Sequence, residues 1–259
     1  SPFEYKRRSS SAVENIGAKQ VPVVVSDMSR VDKIVHENLQ SIGYTYDAET
    51  DKWSIGDAAA DYVYTGSKKI DFALPGTLKN IVWSSVWDEK SESCFPIFEL
   101  DDFVSAEKKS NRINFVMVDC YSVVEGVSSS FEEQRLKLIK VAQNETVVFC
   151  LSSKNKNAMQ SVRRMFVAFA DLGISNPVIL TTDSGMHTPD EHLIHFATET
   201  GALFLEGMGD GICLGMSPGA YSAAANIAVS GRNYIANASV EQFINNTSFS
   251  ILQATRDRK

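Results

Sequence analysis

Closely spaced cysteines are missing from this chain of 259 residues. Its four thiols, Cys94, Cys120, Cys150 and Cys213, lie far apart in sequence, whereas structural zinc sites and cluster-binding runs normally show a tight Cys-x-x-Cys. Three of them sit in or beside the apolar runs "MVDC", "VVFC" and "ICLG", and read as buried thiols of a reducing cytoplasm. Long apolar runs are missing too. None is long enough to cross a bilayer as a helix, and no charged-then-apolar leader is seen, so a cytoplasmic chain with no membrane partner is expected. Positive charge is in deficit: 25 Lys and Arg stand against 32 Asp and Glu, a formal net charge of −7. That argues against a nucleic-acid partner, since affinity for phosphates comes largely from cations.

Catalytic motifs are equally scarce. The sequence has no Gly-x-Ser-x-Gly elbow, no P-loop and no zinc-ligand pair. "GMGDG" places its third glycine at the wrong offset for a dinucleotide fingerprint. The only histidines are His36, His187, His192 and His195. His192 and His195 are spaced to share a helix face, but they lack an acidic or cysteine companion at ligand spacing and read as packing or surface residues.

What the chain does have is apolar patterning. Hydrophobic residues make up 44% and charged residues 22%, an ordinary globular balance adequate for a large core. Residues 1–16, opening "SPFEYKRRSSS", read as a solvated arm or linker, and 17–259 as one barrel-like domain without internal repeats. Eight apolar runs read as strands: "VPVVVSD", "DYVYTG", "NIVWSS", "PIFEL", "INFVMVDC", "TVVFCLSS", "NPVILTTD" and "ALFLEG". Their continuous rather than alternating character suits strands buried on both faces, as in a parallel sheet covered by helices. Helical periodicity falls between several of them. Ser29 is placed to cap a helix carrying Val31, Ile34, Val35, Leu39 and Ile42 and stopped by Gly43. Further helices are expected in "FEEQRLKLIKVA", in "AMQSVRRMFVAFADLG" and in "TPDEHLIHFATETG", where Thr188, Pro189 and Glu191 form a start signal. The alternation predicts an α/β fold, a TIM-like (β/α)₈ barrel with missing or very short helices around 61–100.

In such a barrel, function sits where strands end. The expected strand ends carry Asp27, Asp101 or Asp102, Asp119, Asp183 and Glu206, with Asp210 just beyond. Converging carboxylates can hold Mg²⁺ or work as an acid/base pair, and they equally cap helices or pair with lysines. The residues by themselves assign no catalytic group and no metal site; Asp27, Asp119, Asp183, Glu206 and Asp210 stand as a possible vestigial or metal site.

The segment "ALFLEGMGDGICLG" resembles the Gly-Ile-Gly-Asp-Thr-(Leu/Ile)-Arg-(Val/Ile)-Ser segment that ends the substrate barrel of the hydroxymethylbutenyl diphosphate synthases. "NPVILTTDSGMHTPDEHLIHFATETG" is similar to that family's preceding strand, turn and helix, and "TSFSILQATRDRK" to the helix that leads into its iron–sulfur domain. "PFEYKRRSSSAVENIGAKQVPVVVSD" resembles the start of the extra middle domain in the long form of the enzyme, found in plants and in Bacteroidetes- and Chlamydia-type bacteria.

The resemblance implies a non-catalytic middle domain that positions its neighbours. The family reductively opens methylerythritol cyclodiphosphate to hydroxymethylbutenyl diphosphate, in the non-mevalonate (MEP) route of isoprenoid biosynthesis. Its [4Fe–4S] cluster lies in a C-terminal domain and its substrate site in an N-terminal barrel; this fragment is expected to carry no cofactor itself. The implied partners are the catalytic barrel and iron–sulfur domains of the same chain, with flavodoxin or ferredoxin as electron donor in a bacterial cytoplasm. Cys213 stands where the family has a diphosphate-binding Arg, and Gly215 where it has Ser, so no substrate-binding residue is expected. Two other readings stay open: an independent Mg²⁺-dependent barrel enzyme using Asp27, Asp119, Asp183 and Glu206, and a regulatory ligand-binding domain.

Overall fold

The computed structural model describes residues 6–121, 130–229 and 239–256. A short hairpin, β1 (Ala12–Val13) and β2 (Ile16–Gly17), precedes the first long strand, β3 (Val23–Asp27). A 3₁₀ helix (His36–Ile42) and a second hairpin, β4 (Tyr44–Asp47) and β5 (Lys52–Ile55), follow. The remaining strands are β6 (Tyr62–Tyr64), β7 (Lys79–Trp83), β8 (Cys94–Glu99), β9 (Asn114–Asp119), β10 (Val147–Ser152), β11 (Val178–Ser184) and β12 (Gly211–Met216). Strands β3 and β6 to β12 close into a barrel in sequence order, every pairing parallel and β12 joining β3. The expected (β/α)₈ barrel is the observed fold, and no helix interrupts residues 61–99.

Strand alternation explains the continuous apolar runs, because each strand buries both of its faces. Inward side chains such as Val25, Tyr62, Phe115 and Ile179 fill the barrel. Their neighbours Val24, Val63, Val116 and Leu180 point out against the helical layer. That layer comprises α1 (Leu100–Ser105), α2 (Ser130–Ala142), α3 (Ala158–Asp171), α4 (Pro189–Phe196), α5 (Ala202–Leu205), α6 (Pro218–Val229) and α7 (Val240–Arg256). Helix α3 buries Val162, Met165, Phe166 and Phe169, the helical stripe read from the sequence. Helix α4 starts at the expected capping box, with Thr188 Oγ1 accepting from the Glu191 N–H and the Glu191 carboxylate accepting from the Thr188 N–H.

Three local expectations are corrected. The strand expected in "ALFLEG" is helical: α4 runs through one π turn (Ala197–Gly201) into α5, which buries Leu203 and Phe204. Short apolar runs cannot tell strand from buried helix by period alone. The eighth strand is "GICLGM" instead, so the Gly207–Asp210 turn stands where that strand begins. Between β3 and β6 the chain forms only the 3₁₀ turn and a hairpin, and Asp27 accepts from the Ser29 N–H where Ser29 was expected to cap.

The third correction concerns the opening arm, whose residues 1–5 lie outside those described. From Lys6 onward it is part of the barrel floor. Val13 and Ile16 are buried inside the barrel at 3% and 0% exposure, plugging its N-terminal end. Arg7 donates to Asp210 Oδ1 at 2.8 Å and to the Gln20 carbonyl at 2.7 Å. Arg8 donates to the carbonyls of Ile174 and Asn176 and lies over the rings of Phe166 and Phe169. The sequence presents these cations as solvated because the Arg7 partner is 203 residues away.

Candidate functional site at the barrel mouth

The C-terminal end of the barrel opens into a cavity of about 470 Å³, within the range of small-molecule sites. Its depth is apolar: Val25, Ile81, Ile97, Met117, Cys150 and Ile179 come from six strands. Its rim carries Asp27, Asp183, Arg30, Lys68, Tyr64 and Trp83. Each wall residue follows from the inward phase of its strand, and each rim residue from the strand's last inward position or the loop beyond it.

Asp27 ends β3 and Asp183 lies near the end of β11, with β12 between them. They meet over Gly215. A Cβ on Gly215 would lie 2.3 Å from Asp183 Oδ1 and 3.1 Å from Asp27 Oδ2, so in their present positions both carboxylates occupy the space that the glycine leaves. Burial raises both carboxyls above their ordinary value. For Asp27, hydrogen bonds from Ser29 oppose that rise and the charge of Asp183 adds to it; Arg30 draws both back down. Burial and the carboxylates also push up the Tyr64 hydroxyl, and burial, Asp27, Cys150 and Asp183 push up the Cys213 thiol. Both remain protonated at neutral pH. Lys68 Nζ donates to the Ser29 carbonyl, which fixes the β3 and β6 loops to each other.

The five sequence-expected carboxylates therefore separate into groups. Asp27 and Asp183 come together. Asp119 accepts from the Tyr121 N–H and lies towards Glu99, outside the cavity lining. Glu206 forms a two-pronged pair with Arg163 on the outer surface. Asp210 is on the floor, 2% exposed, accepting from Arg7, Ser10 and the Val178 N–H. Asp101 pairs with Lys137. His192 and His195 do not share a site: His192 is buried with Nδ1 2.7 Å from Ser184 Oγ, whereas His195 lines a separate hollow beside β10 and β11. Among the described residues no three His, Cys, Asp or Glu side chains gather as a metal-holding group, and no helix is long and apolar enough to cross a membrane.

Sequence reasoning missed Tyr64, Trp83, Arg30 and Lys68 at this site. The first two were findable, because they end "DYVY" and "NIVW" by the same strand-end rule that picked out Asp27. Arg30 and Lys68 are loop residues without a pattern.

The cysteines do not fit an iron–sulfur cluster. Cys150 and Cys213 face the barrel interior, Cys120 lies in the outer core, and Cys94 begins β8. Burial pushes Cys94 up to about 11 and Cys150 up to about 12, and raises the other two thiols as well, whereas cluster ligands are thiolates.

No family model matches the chain. It is similar to 4-hydroxy-3-methylbut-2-en-1-yl diphosphate synthase (flavodoxin) of Parabacteroides distasonis, 27% identical over 254 residues, which is 97% of this chain and 33% of the relative. The resemblance to the hydroxymethylbutenyl diphosphate synthases holds. A second synthase of the same name, from Phocaeicola vulgatus, is 22% identical over 208 residues, 80% of this chain and 29% of the relative. The chain spans about a third of the length of the curated relatives it matches.

Proposed function

We propose that this chain is the non-catalytic middle barrel of a long-form hydroxymethylbutenyl diphosphate synthase, and that it positions the catalytic barrel and iron–sulfur domain of one longer protein. The carrying observation is the barrel mouth. Where the family's substrate barrel resembles this one, an Arg and a Ser give way to Cys213 and Gly215, and Gly215 makes room for two carboxylates. A diphosphate needs cations, and the loss of a guanidinium removes both charge and a two-pronged donor. In this reading the longer protein reductively opens methylerythritol cyclodiphosphate in isoprenoid biosynthesis, takes electrons from a flavodoxin, and holds its [4Fe–4S] cluster outside this segment. The length match supports the role, since the segment is one domain's worth of a much longer chain.

Calorimetric titration of the chain with the cyclodiphosphate tests this role, and no binding is expected with or without Mg²⁺. Micromolar binding without Mg²⁺ overturns it. Binding only with Mg²⁺ favours the metal-dependent reading instead. Anaerobic reconstitution is expected to load no stoichiometric iron and sulfide; loading that disappears in Cys213→Ser would show that the thiols had been misjudged.

A further inference from the structure

The hollow at the barrel mouth carries two carboxylates and two cations, Arg30 and Lys68, around an apolar well, and the cations are not ion-paired with the acids. Among the described residues, no lysine, arginine or histidine comes within ion-pair distance of Asp27 or Asp183. Asp27 has the Ser29 N–H, and Lys68 is held by the Ser29 carbonyl. Arg30 is exposed at the rim. Beneath the carboxylates the cavity continues into the barrel between Ile81, Ile97, Met117 and Ile179. A charged ring above an apolar well is the inverse of an anion site.

We propose that this cavity binds a small organic ammonium ion with an apolar body, its ammonium between Asp27 and Asp183 above Gly215 and its body in the apolar well. The chemistry excludes the neighbouring classes. An anion would meet two carboxylates. A neutral molecule would take water away from the half-buried Asp27 and the exposed Asp183 without supplying a cation, and covering a carboxylate without one is costly. A hard divalent cation wants about six oxygens and favours several carboxylates, whereas only Asp27 and Asp183 among the lining residues are acids, and the space beneath them is apolar. An ammonium ion donates three hydrogen bonds from a compact centre, enough for both carboxylates at once. Tyr64 and Trp83, packed edge to face with centroids 6.3 Å apart, add aromatic surface that tolerates a cation. The cavity of about 470 Å³ accommodates a body of several carbons. The proposal stands independently of the positioning role.

Three probes of equal length separate the classes: n-hexylamine, n-hexanol and hexanoate, each titrated at neutral pH and followed by calorimetry and thermal shift. Hexylamine is expected to bind about tenfold more tightly than hexanol, the scale of a charge-assisted hydrogen bond, and hexanoate more weakly than either. Asp183→Asn should erase the preference for the amine while hexanol binding stays as it was. Arg30→Ala, on an exposed side chain that leaves the fold untouched, should tighten hexylamine several-fold by removing the competing cation. The proposal is overturned if hexylamine binds no better than hexanol, if the preference survives Asp183→Asn, or if Arg30→Ala weakens the amine. Cyclodiphosphate binding in the separate titration would overturn the positioning role and leave these outcomes readable.

Discussion

The two ends of the barrel treat their carboxylates in opposite ways. On the floor, Asp210 is surrounded by donors: the Arg7 guanidinium, the Ser10 hydroxyl and the Val178 N–H, with Arg8 3.9 Å away. At the mouth, Asp27 and Asp183 face each other over a glycine, with the backbone and side chain of Ser29 donating to Asp27 and Arg30 as a more distant opposing charge. A compensated buried charge fixes structure, whereas like charges brought together at a mouth that water reaches are screened by solvent and stay available to a ligand. The contrast matches the division of labour in (β/α)₈ barrels, with stability built at the bottom face and ligand chemistry at the top.

Removing Asp210 is the hardest blow to this comparison. Asp210→Ala leaves two partly buried guanidinium charges without their counter-ion and a strand N–H without its acceptor, and is expected to destabilise the chain by about 3–5 kcal/mol in urea unfolding. Asp183→Ala, which removes a carboxylate without an ion-pair partner, should cost less than about 1 kcal/mol. Equal losses at the two positions would erase the distinction between floor and mouth. Truncation of residues 1–16 removes Arg7, Arg8 and the Val13–Ile16 plug together, and should be at least as damaging as Asp210→Ala.

Two glycines sharpen the comparison at a smaller scale. At Gly207, with φ +84°, a Cβ would lie 2.3 Å from the Lys6 carbonyl oxygen, which is backbone in the closed floor. At Gly215 the same 2.3 Å approach is to the Asp183 side chain, which can rotate towards solvent. Gly207→Ala is expected to cost about 2–3 kcal/mol, from left-handed strain plus collision, and Gly215→Ala about half that. Thermal unfolding of both variants decides the order. A larger loss at Gly215 would mean that the carboxylates are locked in place.

Much of this was readable in the sequence, and the omissions have physical causes. Continuous apolar runs are a direct consequence of two-sided burial, so seven of the eight barrel strands and the bare flank at 61–99 were legible. "ALFL" was not: four apolar residues fit strand or buried helix equally, and here tertiary continuation of α4 decides. That one misassignment carried Glu206 and Asp210 to the wrong end of the barrel. Asp27 and Asp183 were found because strand ends follow from the runs themselves. The floor network was invisible, because Arg7 and Asp210 meet only once the barrel has closed.

The smallest effect concerns protons at the mouth. Burial holds the Asp183 carboxyl above its ordinary 3.8, with Arg30 the opposing charge. Among the other groups near it, Tyr64 and Cys213 stay protonated across acid and neutral pH, which leaves Asp27 as the coupled titrating partner. A carboxyl whose pKa is higher folded than unfolded binds more protons in the folded state between the two values, so its stabilising contribution is complete below the unfolded value and is lost as pH rises through the folded one. Wild-type chain therefore works against this ionisation at pH 7. Asp183→Asn removes it and should raise the unfolding midpoint by a degree or two at neutral pH, roughly the smallest increment thermal melts resolve for a domain of this size. The gain should shrink as pH falls towards the ordinary carboxyl value and vanish below it, where folded and unfolded chains are both protonated. A gain that is constant with pH would trace to packing rather than charge, and a loss at pH 7 would mean that Asp183 is compensated after all, which removes the contrast with Asp210.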